Sequence, residues 1–294
     1  MHGKSRHAHS GLHWPALVER FQGARNSAIQ LCAQTAYLGI MLNFIEHGTR
    51  SDLPGLLIAH GLYGSARNWG VIAKRLSDTR KIIAVDMRNH GASPWVSSHT
   101  YPEMAADLAE VLAVQDGPFD VLGHSMGGKA AMTLALQHPD LVGRLIVADI
   151  APVPYEHSQI RYVDALKSVD LSGLEKRSDA AERMAPLIDD PALIPFFLQS
   201  LDVAAGRWRL NLDALGAAMP DIMGFPQIDT SFERPALFLT GGQSDYVQPE
   251  HRPEIKRLFP KARFVKLPGA GHWLHAEEPR AFEATVRAWL DRAG

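Results

Sequence analysis

Short apolar runs alternate with helical segments along most of this chain, and that alternation confines it to a parallel-sheet architecture. The runs are LNFIEHG (42–48), GLLIAHG (55–61), KIIAVDM (81–87), FDVLGHS (119–125), RLIVADI (144–150), ALFLTGG (236–242) and ARFVKLP (262–268). Most are continuous and rich in Val, Ile and Leu, the pattern of strands buried on both faces. Between them lie stretches such as YPEMAADLAEVLAVQ (101–115), whose apolar residues are spaced by three and four, as on a helix. Strand alternating with helix predicts an α/β fold: a mostly parallel central sheet with helices on both faces.

One block breaks the alternation. Residues 152–231 hold helical segments such as 158–169 and 191–201, punctuated by Pro, Gly and Asp, and no convincing strand. A helical block between two sheet strands predicts an inserted cap over the strand carboxyl ends, where ligands of open α/β sheets bind. The expected division is a core of 41–151 and 232–294, a helical cap of 152–231, and an N-terminal extension of 1–40. With 294 residues the chain is long enough for one large domain with such an insertion.

The extension carries His2, His7, His9 and His13 and a moderately apolar stretch, 28–42. Gln30, Gln34 and Thr35 interrupt that stretch, no convincing cleavage site follows, and it is too short to span a bilayer. A dispensable extension is expected, with a solvated tail rather than a metal site. Thirty basic residues against 32 acidic ones leave a net charge of -2, so no nucleic-acid partner is expected. The lone cysteine, Cys32, forms no internal disulfide, and no Cys/His metal spacing exists. A cytoplasmic chain needing no cofactor and no metal is the expectation.

The strongest chemical signal is Gly123-His124-Ser125-Met126-Gly127, which follows the apolar run FDVL and precedes the helical GKAAMTLALQ. A serine on a sharp strand-to-helix turn is exposed, and its strained backbone requires small flanking residues. The same turn sets the Met126 backbone N–H at a helix N-terminus, where it can stabilise an oxyanion. Serine is a poor nucleophile near neutral pH and needs a base. His272, in Gly269-Ala270-Gly271-His272-Trp273, follows the last strand run and is the candidate. His60 precedes the nucleophile, His275 opens the final helix, and His124 is expected to point away from the serine and pack. The base in turn needs an acid. Asp149 and Asp245 both follow strand runs, and residue order leaves both open. In His60-Gly61-Leu62-Tyr63-Gly64-Ser65, the Leu62 N–H is the candidate second oxyanion donor.

Together with DMRNHGAS (86–93), DIAPV (149–153), GGQSDYV (241–247) and GAGHWLHAEEP (269–279), these motifs resemble the α/β-hydrolase superfamily over residues 42–294. Within it the chain is similar to YbfF-like bacterial esterases and their mitochondrial abhydrolase-domain relatives. The resemblance implies hydrolysis of a small acyl ester or thioester through an acyl-enzyme. Across the superfamily the acid commonly occupies the last place of G-x-x-D, which Ser244 fills here. In the YbfF-like subfamily the acid matches Asp149, which the resemblance therefore favours over Asp245. It also assigns Arg88, Asn89 and His90 to bracing the site floor, and leaves Lys129 as a packing or solvated group.

Acyl transfer to another acceptor, perhydrolysis and C–C hydrolysis use the same residues. A non-catalytic receptor or scaffold on this fold is the alternative of another class, and would show a lost nucleophile, base or glycine. From the cap, Tyr155, Tyr162, Phe196, Phe197, Trp208 and Met223 are candidates either for lining an acyl pocket or for forming the cap's own core.

Overall fold

A computed structural model describes residues 39–117 and 119–292. The extension's histidines, Cys32 and most of its apolar stretch lie outside the described residues. All seven apolar runs form strands of one sheet, in the order β1-β3-β2-β4-β5-β8-β9. These are β1 (Phe44–His47), β2 (Gly55–Ala59), β3 (Ile82–Val85), β4 (Phe119–His124), β5 (Val142–Ala148), β8 (Ala236–Gly241) and β9 (Ala262–Leu267). Strand β1 pairs antiparallel with β3, and every other neighbouring pair in this sheet is parallel.

Alternate residues of each central strand feed two cores. Leu57, Val121, Val147 and Phe238 face one side, where helices α2 (Tyr101–Ala113) and α3 (Met126–Gln137) bury Met104, Leu108, Val111 and Leu134. Leu56, Ile58, Leu122 and Ile146 face the other, against α1 (Gly70–Leu76) and α11 (Pro279–Leu290) through Ile72, Leu76, Phe282 and Val286. Burial on both faces explains why the runs lack polar alternation.

The insertion between β5 and β8 is mostly helical: α4 (Ile160–Ser168), α5 (Arg177–Met184), α6 (Leu193–Leu198), α7 (Leu212–Ala217) and α8 (Met219–Met223). The expectation that it holds no strand is corrected by a hairpin of β6 (Leu201–Asp202) and β7 (Arg207–Trp208). Strands of two residues offer no periodicity from which to be read. The remaining helices, α9 (Arg252–Leu258) and α10 (Leu274–Glu277), flank β9. At the N-terminal edge, Ile40 packs on the core and its N–H donates to the buried Asp107 carboxylate at 2.7 Å. The packed core therefore already includes residue 40.

Most strands end earlier than their apolar runs, and the remainder forms loops. His60-Gly61, Asp86-Met87 and Asp149-Ile150 all leave the sheet at its carboxyl edge, where the functional residues gather. Among the described residues, no helix is long and apolar enough to cross a membrane, and no cluster of His, Cys, Asp and Glu is arranged to hold a metal ion.

Candidate active site

Ser125 occupies the turn between β4 and α3 with φ 52° and ψ −120°, backbone angles that a non-glycine residue rarely adopts. A methyl group on Gly123 would stand 2.1 Å from the Gly127 carbonyl oxygen, so the chain can close this elbow only without a side chain there. The β2 loop lies directly alongside: a Cβ on Gly61 would approach the Ser125 Cβ to 3.3 Å. Among the described residues, neither the Leu62 nor the Met126 backbone N–H donates a hydrogen bond. Both residues line the same cavity as Ser125. Unpaired donors beside a half-buried serine that faces a cavity are what an oxyanion site requires.

His272, on the loop after β9, lines this cavity too. Its Nδ1–H donates to the Asp149 Oδ2 at 2.8 Å. Asp149 directly follows β5 with φ 53° and its side chain is fully buried. Three donors satisfy that carboxylate: His272, the Gly241 N–H at 2.9 Å, and the Ser244 hydroxyl. A buried carboxylate is tolerated when its oxygens are so occupied. Asp245 is exposed and its Oδ1 accepts from the Gln248 side chain instead. The structure therefore brings Asp149, and not Asp245, to His272.

Two residues around the His272–Asp149 pair had no role assigned from the sequence. The Tyr246 ring stacks on the imidazole at 3.9 Å and 18°. Ser244 stands where the superfamily commonly has its acid, and its hydroxyl donates to the Asp149 carboxylate. His124 packs as expected, buried against the Trp69, His272 and His275 rings, but it also borders the cavity, and its Nε2–H donates to the His272 carbonyl at 2.8 Å. Burial first, then the neighbouring His272 and His275, hold its pKa well below the ordinary histidine range, so it stays neutral. His60 and His90 are likewise buried, and each ring accepts a backbone N–H, from Met87 and Tyr63 respectively. Arg88 meets Asp107 at 2.6 Å and Glu103 at 3.1 Å, and Asn89 bonds Val96 and Asn211, so this loop ties α2 and the insertion to the sheet.

The cavity, of about 270 Å³, runs from Ser125 under the insertion. Tyr155, Tyr162, Phe196, Phe197 and Met223 line it. Trp208 does not; it is buried in the insertion's own core, and its indole N–H donates to the Leu166 carbonyl at 2.8 Å. Lys129 is not solvated. It is buried, lines the cavity, and donates to the Met223 carbonyl at 3.0 Å and to that of Gly224. Its ammonium lies 4.7 Å from the centre of the Tyr155 ring, a favourable contact for a cation.

Comparison with known proteins agrees with this fold. The alpha/beta hydrolase fold model matches residues 54–279. The sn-1-specific diacylglycerol lipase ABHD11 of Mus musculus is 41% identical over 253 residues, 82% of this chain and 82% of that protein. Esterase YbfF of Escherichia coli (strain K12) is 40% identical over 240 residues, 80% of this chain and 92% of its own length. A solved structure described as a marine microorganism esterase matches with a TM-score of 0.80 at 40% identity, covering 85% of this chain and 99% of that one.

Proposed function

This chain belongs to the α/β-hydrolase fold family, and we propose that it cleaves carboxylic acyl esters or thioesters through an acyl-enzyme on Ser125. One observation carries the reading. The His272 ring, oriented by the buried Asp149, faces the same cavity as a serine raised on a strained elbow between two unpaired backbone donors.

In this reading His272 takes the Ser125 proton as the serine oxygen attacks the acyl carbonyl, and the oxyanion rests against the Leu62 and Met126 N–H groups. Protonated His272 then passes its proton to the departing alcohol or thiol. A water then attacks the acyl carbon and gives one proton to His272; the bond to Ser125 breaks, His272 returns that proton to the serine oxygen, and the acid is released. Asp149 fixes the tautomer in which Nδ1 carries hydrogen and Nε2 is free to accept, and it stabilises the imidazolium. The apolar wall of Tyr162, Phe197 and Met223 is suited to the acyl chain. The names of the esterase and lipase relatives agree with an ester substrate.

Rapid mixing with a p-nitrophenyl ester tests the acyl-enzyme. A burst of one nitrophenolate per chain, followed by slower turnover with release of free acid, is expected. Turnover without label transfer to Ser125 when the reaction is quenched in acid would refute the covalent route.

A further inference from the structure

The oxyanion loop is tied to the insertion at one strained residue. Gly61 to Gly64 form a turn closed by the Gly64 N–H on the Gly61 carbonyl at 3.0 Å. Leu62 is its first central residue and Tyr63 its second, and Tyr63 has φ 64°. Positive φ at that place marks a type II turn, which calls for glycine or asparagine. A tyrosine there is strained, and such strain persists only where the surroundings over-determine it.

The surroundings are visible. The Tyr63 N–H donates to the His90 Nε2 at 3.2 Å, and His90 is fixed in that accepting tautomer by its own Nδ1–H on the Arg88 carbonyl at 2.8 Å. The other two tethers come from the insertion. The Ser200 hydroxyl donates to the Tyr63 carbonyl at 2.9 Å, and the Tyr63 hydroxyl donates to the Gln159 carbonyl at 2.9 Å. The Tyr63 ring also packs edge-on against Phe197, with centroids 5.4 Å apart. Five residues on, the Asn68 amide bonds the Gln199 side chain at 2.6 Å.

We propose that Tyr63 is a positioning residue through which the cap holds the oxyanion hole in shape, so that cap seating and transition-state stabilisation are coupled. This rests on the ester-hydrolase reading above. Loss of the Ser200 and Gln159 tethers leaves only the His90 bond to hold Tyr63 at positive φ, and the Leu62–Tyr63 peptide can then flip, at the cost of that one bond, towards a type I turn, which needs no positive φ. That flip disturbs the turn whose first central residue supplies the Leu62 N–H. The donor then no longer waits where the oxyanion forms, whereas ground-state binding, which does not use it, is retained. The local conflict of a tyrosine at a glycine place thus has a functional account.

The test uses Tyr63→Phe, Ser200→Ala, Ser200→Thr and the Tyr63→Phe/Ser200→Ala pair in the full chain. Ser200 does not line the cavity, so its variants change the tether and no substrate contact. With a short p-nitrophenyl ester, the pair is expected to lose about tenfold in kcat with KM within about twofold, the scale of two lost hydrogen bonds. Affinity for a trifluoromethyl ketone, which forms an oxyanion adduct, is expected to fall by the same factor, with inhibition by the product acid unchanged. Ser200→Thr, which keeps the hydroxyl, is expected to retain most of the rate. A rise in KM at constant kcat, or unchanged ketone affinity, would overturn the coupling while leaving the hydrolase reading intact. Absence of ester turnover in the wild-type chain would overturn the hydrolase reading itself, and the coupling with it.

Discussion

The phenol ring of Tyr246 lies flat against the imidazole of His272, 3.9 Å away and inclined by 18°. Tyr246 is itself held: its carbonyl accepts from the Tyr155 hydroxyl at 2.6 Å, and its own hydroxyl meets the His157 Nε2 at 3.1 Å. The His272 ring is therefore fixed by an edge contact at Asp149 and a face contact at Tyr246. Tyr246→Leu is expected to lower kcat by up to about tenfold, the equivalent of an aromatic pair. Steady-state rates at fixed pH, with thermal melting as a control, measure it; an unchanged kcat would mean that Asp149 alone holds the ring.

The acid is tested by three variants. Asp149→Asn is expected to lose about 10⁴-fold in kcat, because the amide presents the wrong partner to the imidazole. Asp245→Asn should retain nearly all activity, since that carboxylate is exposed and turned to Gln248. Ser244→Ala removes one donor from Asp149 and should cost an intermediate factor of about ten. A crippled Asp245→Asn would contradict the assignment.

Lys129 gives stability a pH dependence. Burial lowers its pKa from 10.5 to about 7. Between those values the unfolded chain binds the proton and the folded chain releases it, so this residue makes stability rise with pH over that window. Below about 7 both states are charged and the contribution is constant. Lys129→Met should abolish that part of the slope when denaturant midpoints are compared from pH 6 to 10. An identical slope in the variant would show that the two carbonyls and the Tyr155 ring keep the ammonium charged throughout.

The domain boundary can be located by truncation. A chain beginning at Gly39 keeps the Ile40 N–H on Asp107, and one beginning at Leu42 loses it. The second is expected to be less stable by about 1 kcal/mol, the usual scale of one hydrogen bond. Both should turn over ester at similar rates. A marked loss of activity on removing residues 1–38 would show that the extension serves the site.

The sheet was legible because its strands are buried on both faces, which leaves runs such as KIIAV with no polar interruption. The placement of Ser125 and His272 at one cavity was legible because each sits in a local pattern, a glycine-flanked elbow and a loop after the last strand. Asp149 was not separable from Asp245 by order alone; only the resemblance favoured it. The Tyr246 stack, the Ser244 hydrogen bond and the Ser200 tether join residues 26 to 137 positions apart. No local pattern encodes such meetings. His124 reads as packing and does pack, but that its ring also reaches the His272 carbonyl, 148 positions away, is written in no local pattern.

The most direct measurement concerns Ser125. Wild-type chain and Ser125→Ala are treated with a fluorophosphonate, analysed by intact mass and peptide mapping, and assayed on the same ester. The account predicts one adduct per wild-type chain, mapped to Ser125. It predicts no adduct on the variant and a loss of turnover of about 10⁴-fold or more with the fold retained. An adduct on another residue, or near-normal turnover by Ser125→Ala, would contradict it.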